Sequence, residues 1–159
     1  MALSSGDNVP SCTLSVMGDS GPTPLTTDDL FNGKRVLLFA LPGAFTPGCS
    51  MAHLPGYVAT ADKIKAAGID KIACLAVNDA HVMRAWGEIE EAIGIIDMMA
   101  DWHARMSNAL GLTRDMGPIM GRRAARCAMV IDNGVVKSMF MEEPGAFEFS
   151  SAEHVLANL

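Results

Sequence analysis

Two uninterrupted apolar stretches organise this chain. Residues 35–41 contain Val36-Leu37-Leu38-Phe39-Ala40-Leu41, and residues 71–77 read Lys71-Ile72-Ala73-Cys74-Leu75-Ala76-Val77. Each has the length of a strand, and apolar side chains at consecutive positions predict burial on both faces. Between them, residues 47–67 carry a helical pattern that stops at Gly68, a residue suited to a helix C-cap. Pro55 falls inside that helix and predicts a kink, since it removes one ladder hydrogen bond. A further helix is predicted over 80–87 and a short one over 102–110, while 93–99 is ambiguous and is read as a strand. Cys127-Ala128-Met129-Val130-Ile131 and Val135-Val136-Lys137-Ser138-Met139-Phe140 flank Asp132-Asn133-Gly134. The Asn-Gly pair predicts a hairpin with a two-residue turn. A closing helix begins near Ser150 or Ser151, with a serine as N-cap and Val155, Leu156 and Leu159 as its apolar face. Early βαβ units followed by an antiparallel hairpin predict an α/β fold, a mixed sheet with helices on both faces.

Composition narrows the picture. The 159 residues show no repeat, low-complexity tract or dividing linker, so one domain over residues 1–159 is expected, with a thioredoxin-like layout as the natural candidate. Half of the residues are hydrophobic (50%) and 19% are charged, a globular balance. Twelve basic against 18 acidic side chains give a net charge of -6, which argues against nucleic acid or an anionic membrane as partner. The first residues carry no basic run and no apolar core of a secretory signal, and no apolar run approaches the length of a membrane span. A cytoplasmic location with reduced thiols is the expectation.

The chemistry concentrates in Leu41-Pro42-Gly43-Ala44-Phe45-Thr46-Pro47-Gly48-Cys49, where the first apolar strand runs into a helix start. Thr46 suits the N-cap, Pro47 suits the first helical position, and Gly48 leaves the approach to its neighbour open. Cys49 then sits in the first turn, where unpaired N–H groups and the positive end of the helix dipole favour an anion. A thiolate is the reactive form of cysteine. Pro42 and Phe45 are placed to screen the sulfur from bulk water. On local pattern alone, a packed and inert core cysteine fits equally well. The crowding of Pro, Gly and Thr residues in one loop tips the reading towards a shaped pocket.

The other candidates are weaker. Cys12, Cys74 and Cys127 form no C-x-x-C with each other or with Cys49, so neither a compact dithiol nor a structural zinc pairing is expected. Cys74 reads as a packed strand residue, with a resolving role as the minority alternative. Cys127 should face away from its neighbour Arg126 by strand alternation. Cys12 belongs to an N-terminal hairpin strand without an assignable role. His53 lies one turn after Cys49 on the same helix face, placed to tune the sulfur or to bind the backbone. His81, His103 and His154 show no metal-ligand spacing. Arg122, Arg123 and Arg126 form a basic cluster in which pattern alone favours no member.

Pro42, Thr46 and Cys49 fit the P-x-x-x-T-x-x-C motif of the peroxiredoxins. The longer run from Pro42 to Ser50, followed by His53-Leu54-Pro55-Gly56-Tyr57, resembles the type II, peroxiredoxin 5-like branch. Further matching stretches are Val77-Asn78-Asp79 with Val82-Met83, Ala85-Trp86-Gly87 and Asp132-Asn133-Gly134-Val135-Val136-Lys137, so the resemblance spans nearly the whole chain. It implies a thioredoxin-like fold and a peroxidase that needs neither metal nor organic cofactor. It implies Cys49 as the peroxidatic cysteine, Thr46 as the hydroxyl that holds the peroxide, Pro42 as a shield and Arg126 as the catalytic arginine. A helix terminus supplies about 0.3–1 kcal/mol towards a thiolate, up to about 2 when partly buried. Arg126 is therefore expected to supply much of the rest. Many type II relatives carry a resolving cysteine near the C-terminal helix, but Phe147-Glu148-Phe149-Ser150-Ser151 contains none. In this the chain resembles the one-cysteine members recycled by glutathione and glutaredoxin, with thioredoxin as the other candidate reductant. A homodimer is implied by resemblance alone. The competing function is a redox sensor or binding module in which oxidised Cys49 signals to a partner.

Overall fold

The computed structural model describes residues 1–159. Seven strands form one sheet in the order β2 (Gly21–Thr26), β1 (Thr13–Gly18), β5 (Asp97–Ala100), β4 (Lys71–Ala76), β3 (Arg35–Ala40), β8 (Cys127–Asp132), β9 (Val135–Met141). β3, β4 and β5 run parallel, and β8 and β9 add antiparallel to the β3 side. This is the mixed α/β sheet expected from the sequence. The two outer positions of the N-terminal edge strand taken by Pro22 and Pro24 deny an N–H to any further strand.

The apolar runs are continuous because β3 and β4 are covered on both faces. On one side, Leu37, Phe39 and Cys74 pack with Leu54, Tyr57 and Ile64 of α2 (Leu54–Ala66), Met83 and Trp86 of α3 (Ala80–Ile89) and Val155 of α6 (Ala152–Ala157). On the other, Val36, Leu38, Leu75 and Cys127 pack with Leu30 and Phe31 of α1 (Thr27–Phe31) and Met106 of α4 (Arg105–Ala109). Cys49 belongs to the first core and Cys127 to the second, so strand alternation does separate Cys127 from its neighbour's side of the sheet.

Several elements depart from expectation for local reasons. The helix after β3 has helical backbone from residue 47, and the Ser50 N–H donates to the Thr46 carbonyl at 3.0 Å. The Thr46 side chain does not cap it; its hydroxyl turns back to the Gly43 carbonyl at 2.7 Å. Instead of a simple kink at Pro55, the turn Cys49–His53 is widened, with the Leu54 N–H bonded five residues back to the Cys49 carbonyl. Pro55 has no N–H to give and its ring crowds the preceding turn, and a widened turn absorbs that misfit. The strand expected over 93–99 is confined to β5, because the Ile95 and Ile96 N–H groups both turn back to the Ala92 carbonyl. The helix expected over 102–110 shortens to α4, since the Asp101 carboxylate takes the N–H groups of Met106 and Ser107 and fixes its first turn. In the C-terminal hairpin Asn133 and Gly134 both have positive φ (48° and 79°), as the expected two-residue turn requires. The closing helix starts on Ser151, whose hydroxyl accepts from the His154 N–H. A second sheet of two short strands, β6 (Thr113–Asp115) and β7 (Arg122–Ala124), with helix α5 (Gly117–Met120) between them, had no signal in the hydrophobic pattern. No helix is long and apolar enough to cross a membrane.

Candidate active site

The register of the sheet assembles the site. Ala40 at the end of β3 pairs with Cys127 at the start of β8, so the loop leaving β3 and the residue preceding β8 meet at one sheet end. That loop carries Pro42 to Gly48 and ends on Cys49, which is fully buried. The residue preceding β8 is Arg126. Its Nη2 donates to Cys49 Sγ at 3.4 Å.

The Arg126 guanidinium is itself held. Nη1 lies 2.9 Å from His53 Nδ1, and a guanidinium can only donate, so Nδ1 must accept. The imidazole proton is therefore on Nε2, which donates to the Ser150 carbonyl at 3.1 Å. Tyr57 donates its hydroxyl to the same carbonyl at 2.8 Å, and its ring stacks on Phe39 at 4.1 Å. Burial, reinforced by the Arg126 charge, pushes the His53 pKa down to about 3. His53 thus stays neutral and acts as a fixed acceptor. Its placement beside the sulfur's helix face matches the spacing argument, but its bond goes to the arginine and the backbone. The Phe147 ring lies 5.5 Å from the Arg126 guanidinium and 5.0 Å from the His53 ring.

A consequence for stability follows from the His53 shift. Between about pH 6.5 and 3 the unfolded chain binds a proton that the folded chain refuses, so stability falls as pH falls through that window. The slope contributed by this one group is on the order of 1 kcal/mol per pH unit. Urea unfolding between pH 7 and pH 4 should show that loss, and His53→Gln should flatten the decline. An unchanged slope in the variant would show that His53 is not the group responsible.

The remaining predicted residues divide. Thr46 lies one turn before Cys49 with its hydroxyl proton committed to Gly43, which leaves the oxygen's lone pairs free to accept. Pro42 is half-buried on the rim of the site. Phe45 is 51% exposed, adopts φ 63°, and turns its ring towards Trp86 at 6.5 Å, so it screens less than its apolar character suggested. Arg122 is exposed, and Arg123 anchors the Met120 and Val77 carbonyls, so of the basic cluster only Arg126 reaches the sulfur. Burial raises the pKa of Cys74 and pushes that of Cys127 up to about 12, and burial also raises that of half-buried Cys12. These three thiols therefore keep their protons.

Gly48 shows how tight the arrangement is. A Cβ there would stand 3.1 Å from Arg126 Nη2. Gly48→Ala should push the guanidinium by a few tenths of an ångström and lower the rate of peroxide reaction by about tenfold with little change in unfolding midpoint. A rate equal to that of the wild type would show that the guanidinium position is not critical.

Sequence reasoning missed Glu142, Ser150, Tyr57 and Phe147. Glu142 Oε1 accepts from the Glu148 N–H, the Ser150 N–H and the Ser150 hydroxyl, and so fixes the loop whose carbonyl holds His53. Burial works to raise its pKa, but those hydrogen bonds and the Arg126 charge together lower it.

The Redoxin family model matches residues 4–156. The chain is 43% identical to the chloroplastic Peroxiredoxin-2E-2 of Oryza sativa, over 97% of this chain and 71% of that protein. The crystal structure of reduced Prx3 from Vibrio vulnificus in complex with H2O2 superimposes with a TM-score of 0.95 at 49% identity, covering 98% of each chain. Peroxiredoxin 5 from Alvinella pompejana superimposes with a TM-score of 0.84 at 33% identity, covering 98% of this chain and 96% of that one.

Proposed function

The chain belongs to the peroxiredoxins, thiol peroxidases of the redoxin family, and from that premise we propose that Cys49 reduces hydrogen peroxide and small organic hydroperoxides and is recycled by an external thiol. The observation that carries this reading is the 3.4 Å contact between Cys49 Sγ and an arginine fixed from behind by a neutral histidine.

The Cys49 thiolate attacks one peroxide oxygen in line with the O–O bond. An S–O bond forms, the O–O bond breaks, and the bonding pair leaves on the distal oxygen, which takes a proton to become water or an alcohol. Arg126 stands where that negative charge develops. Because His53 fixes it beforehand, little reorganisation is needed as the charge appears. The Thr46 oxygen accepts from the peroxide O–H and aligns it. The product is a sulfenic acid, the first and reversible rung of thiol oxidation.

Resetting needs a second thiol. The segment Phe147 to Ser151 offers none, and Cys74 and Cys127 are buried in the core. Glutathione with glutaredoxin is the reductant this arrangement favours, with thioredoxin as the alternative. The test is a peroxidase assay with both reducing systems in parallel. Turnover with glutathione and glutaredoxin well above that with thioredoxin is expected. Turnover with neither, after rapid oxidation of Cys49, would instead support the sensor reading.

A further inference from the structure

The Thr46 hydroxyl takes its direction from a single peptide group, the one that joins Gly43 to Ala44. It donates to the Gly43 carbonyl at 2.7 Å, so that carbonyl decides where the lone pairs of the Thr46 oxygen point. In a trans peptide the C=O and N–H leave opposite sides of one plane. The N–H on the far side of this group is that of Ala44, and it donates to Asn78 Oδ1 at 3.0 Å. A backbone N–H can only donate, so it is the amide oxygen of Asn78 that faces it. The peptide is thus gripped twice, by Thr46 in front and by Asn78 behind.

The grip matters because the turn is locally unfavourable. Residue 43 is a glycine, whose backbone rotates with the least steric restraint. Phe45, two residues on, sits at φ 63°, a left-handed conformation that a bulky side chain disfavours. Asn78 in turn has both neighbours fixed. Arg123 Nη1 donates to the Val77 carbonyl at 3.1 Å, and Asp79 caps α3 by accepting from the Val82 N–H at 3.0 Å. The approach is close enough to require glycine at 43, where a Cβ would stand 2.9 Å from Arg123 Nη1 and 3.3 Å from Asn78 Oδ1.

We propose that Asn78 is a positioning residue of the peroxidase, which aims the Thr46 oxygen at the peroxide through the Gly43–Ala44 peptide. The inference rests on the peroxidase reading above. Arg126 and its His53 anchor reach Cys49 Sγ by a separate path. Loss of Asn78 therefore misdirects the peroxide and leaves the sulfur and its arginine in place.

The test compares three substitutions. Asn78→Ala and Asn78→Leu remove the acceptor, the second with little change in volume, whereas Asn78→Asp keeps an oxygen at that place. The second-order rate with H2O2 should fall about tenfold in the first two and stay within about threefold of the wild type in Asn78→Asp. Alkylation of Cys49 by chloroacetamide needs the thiolate but no aligned peroxide, so its rate should be the same in wild type, Asn78→Ala and Asn78→Leu. A final arm places Asn78→Ala in a Thr46→Val background, where no hydroxyl remains to be aimed. The double variant should react with H2O2 within about twofold of Thr46→Val alone. A wild-type Cys49 that reacts with H2O2 no faster than free cysteine would overturn the peroxidase reading and this proposal with it. With a fast wild type, four results would each overturn the assignment of Asn78 alone. They are an unchanged rate in Asn78→Ala and Asn78→Leu, equal losses of peroxide reaction and alkylation, no recovery by aspartate, and an undiminished further loss in the Thr46→Val background.

Discussion

Replacing Cys49 by serine should abolish peroxide consumption, down to the background of ordinary thiols. The expectation follows from the state of the other three thiols. Cys74 and Cys127 are wholly buried, and burial holds both protonated. Cys12 is half-buried, and burial followed by the charge of Asp101 raises its pKa as well. A serine hydroxyl at position 49 stays protonated beside the same arginine and is no nucleophile towards peroxide. Cys12→Ser is the companion variant and should keep the wild-type rate. The measurement is peroxide loss under excess dithiothreitol, which bypasses the choice of biological reductant. Turnover retained in Cys49→Ser would remove this residue from the chemistry.

The second large effect concerns Arg126. Removing one preorganised donor to a developing oxyanion costs about 10²–10³ in rate. Arg126→Gln should lose that much in the second-order reaction with H2O2, read by stopped-flow tryptophan fluorescence. Trp86 is a suitable reporter, since its Nε1 donates to the Ser50 hydroxyl next to Cys49. Arg126→Lys keeps the charge, yet one ammonium cannot reproduce the fork that spans His53 Nδ1 and Cys49 Sγ. The lysine variant should therefore recover only part of the loss. Full recovery by lysine would mean that charge alone matters and that the His53 anchor is incidental.

The sequence made the framework legible where a local pattern decides the outcome. A seven-residue apolar run rich in bulky side chains fits a strand covered on both faces, and β3 and β4 are such strands. The Asn133-Gly134 pair forces one turn geometry. The crowded loop before Cys49 forecast a helix start, and the cysteine lies in its first turn. What stayed hidden depends on contacts between distant segments. Arg126 and His53 are 73 residues apart, and His53 and Ser150 are 97 apart. No periodicity encodes such pairs, so the pattern could not choose Arg126 over Arg122 or Arg123. Thr46 stands at the helix start as its position suggested, but a threonine hydroxyl can cap the helix ahead or bond a carbonyl behind, and only the fold of the Gly43 turn sends it to the Gly43 carbonyl. The small sheet of β6 and β7 is too short and too rich in arginine to register as an apolar pattern. Glu142 carries no local signal, because its role is to hold the N–H groups of Glu148 and Ser150 through Oε1.

The most direct measurement is a stoichiometric oxidation read residue by residue. Reduced protein is mixed with one equivalent of H2O2, quenched with a sulfenic-acid trap after a fraction of a second, and digested for peptide mass spectrometry. The trap should sit on Cys49 in nearly every chain, with Cys12, Cys74 and Cys127 unlabelled. Label spread evenly over the cysteines, or a Cys49 that reacts no faster than free cysteine, would contradict the assignment of Cys49 as the sulfur that peroxide oxidises.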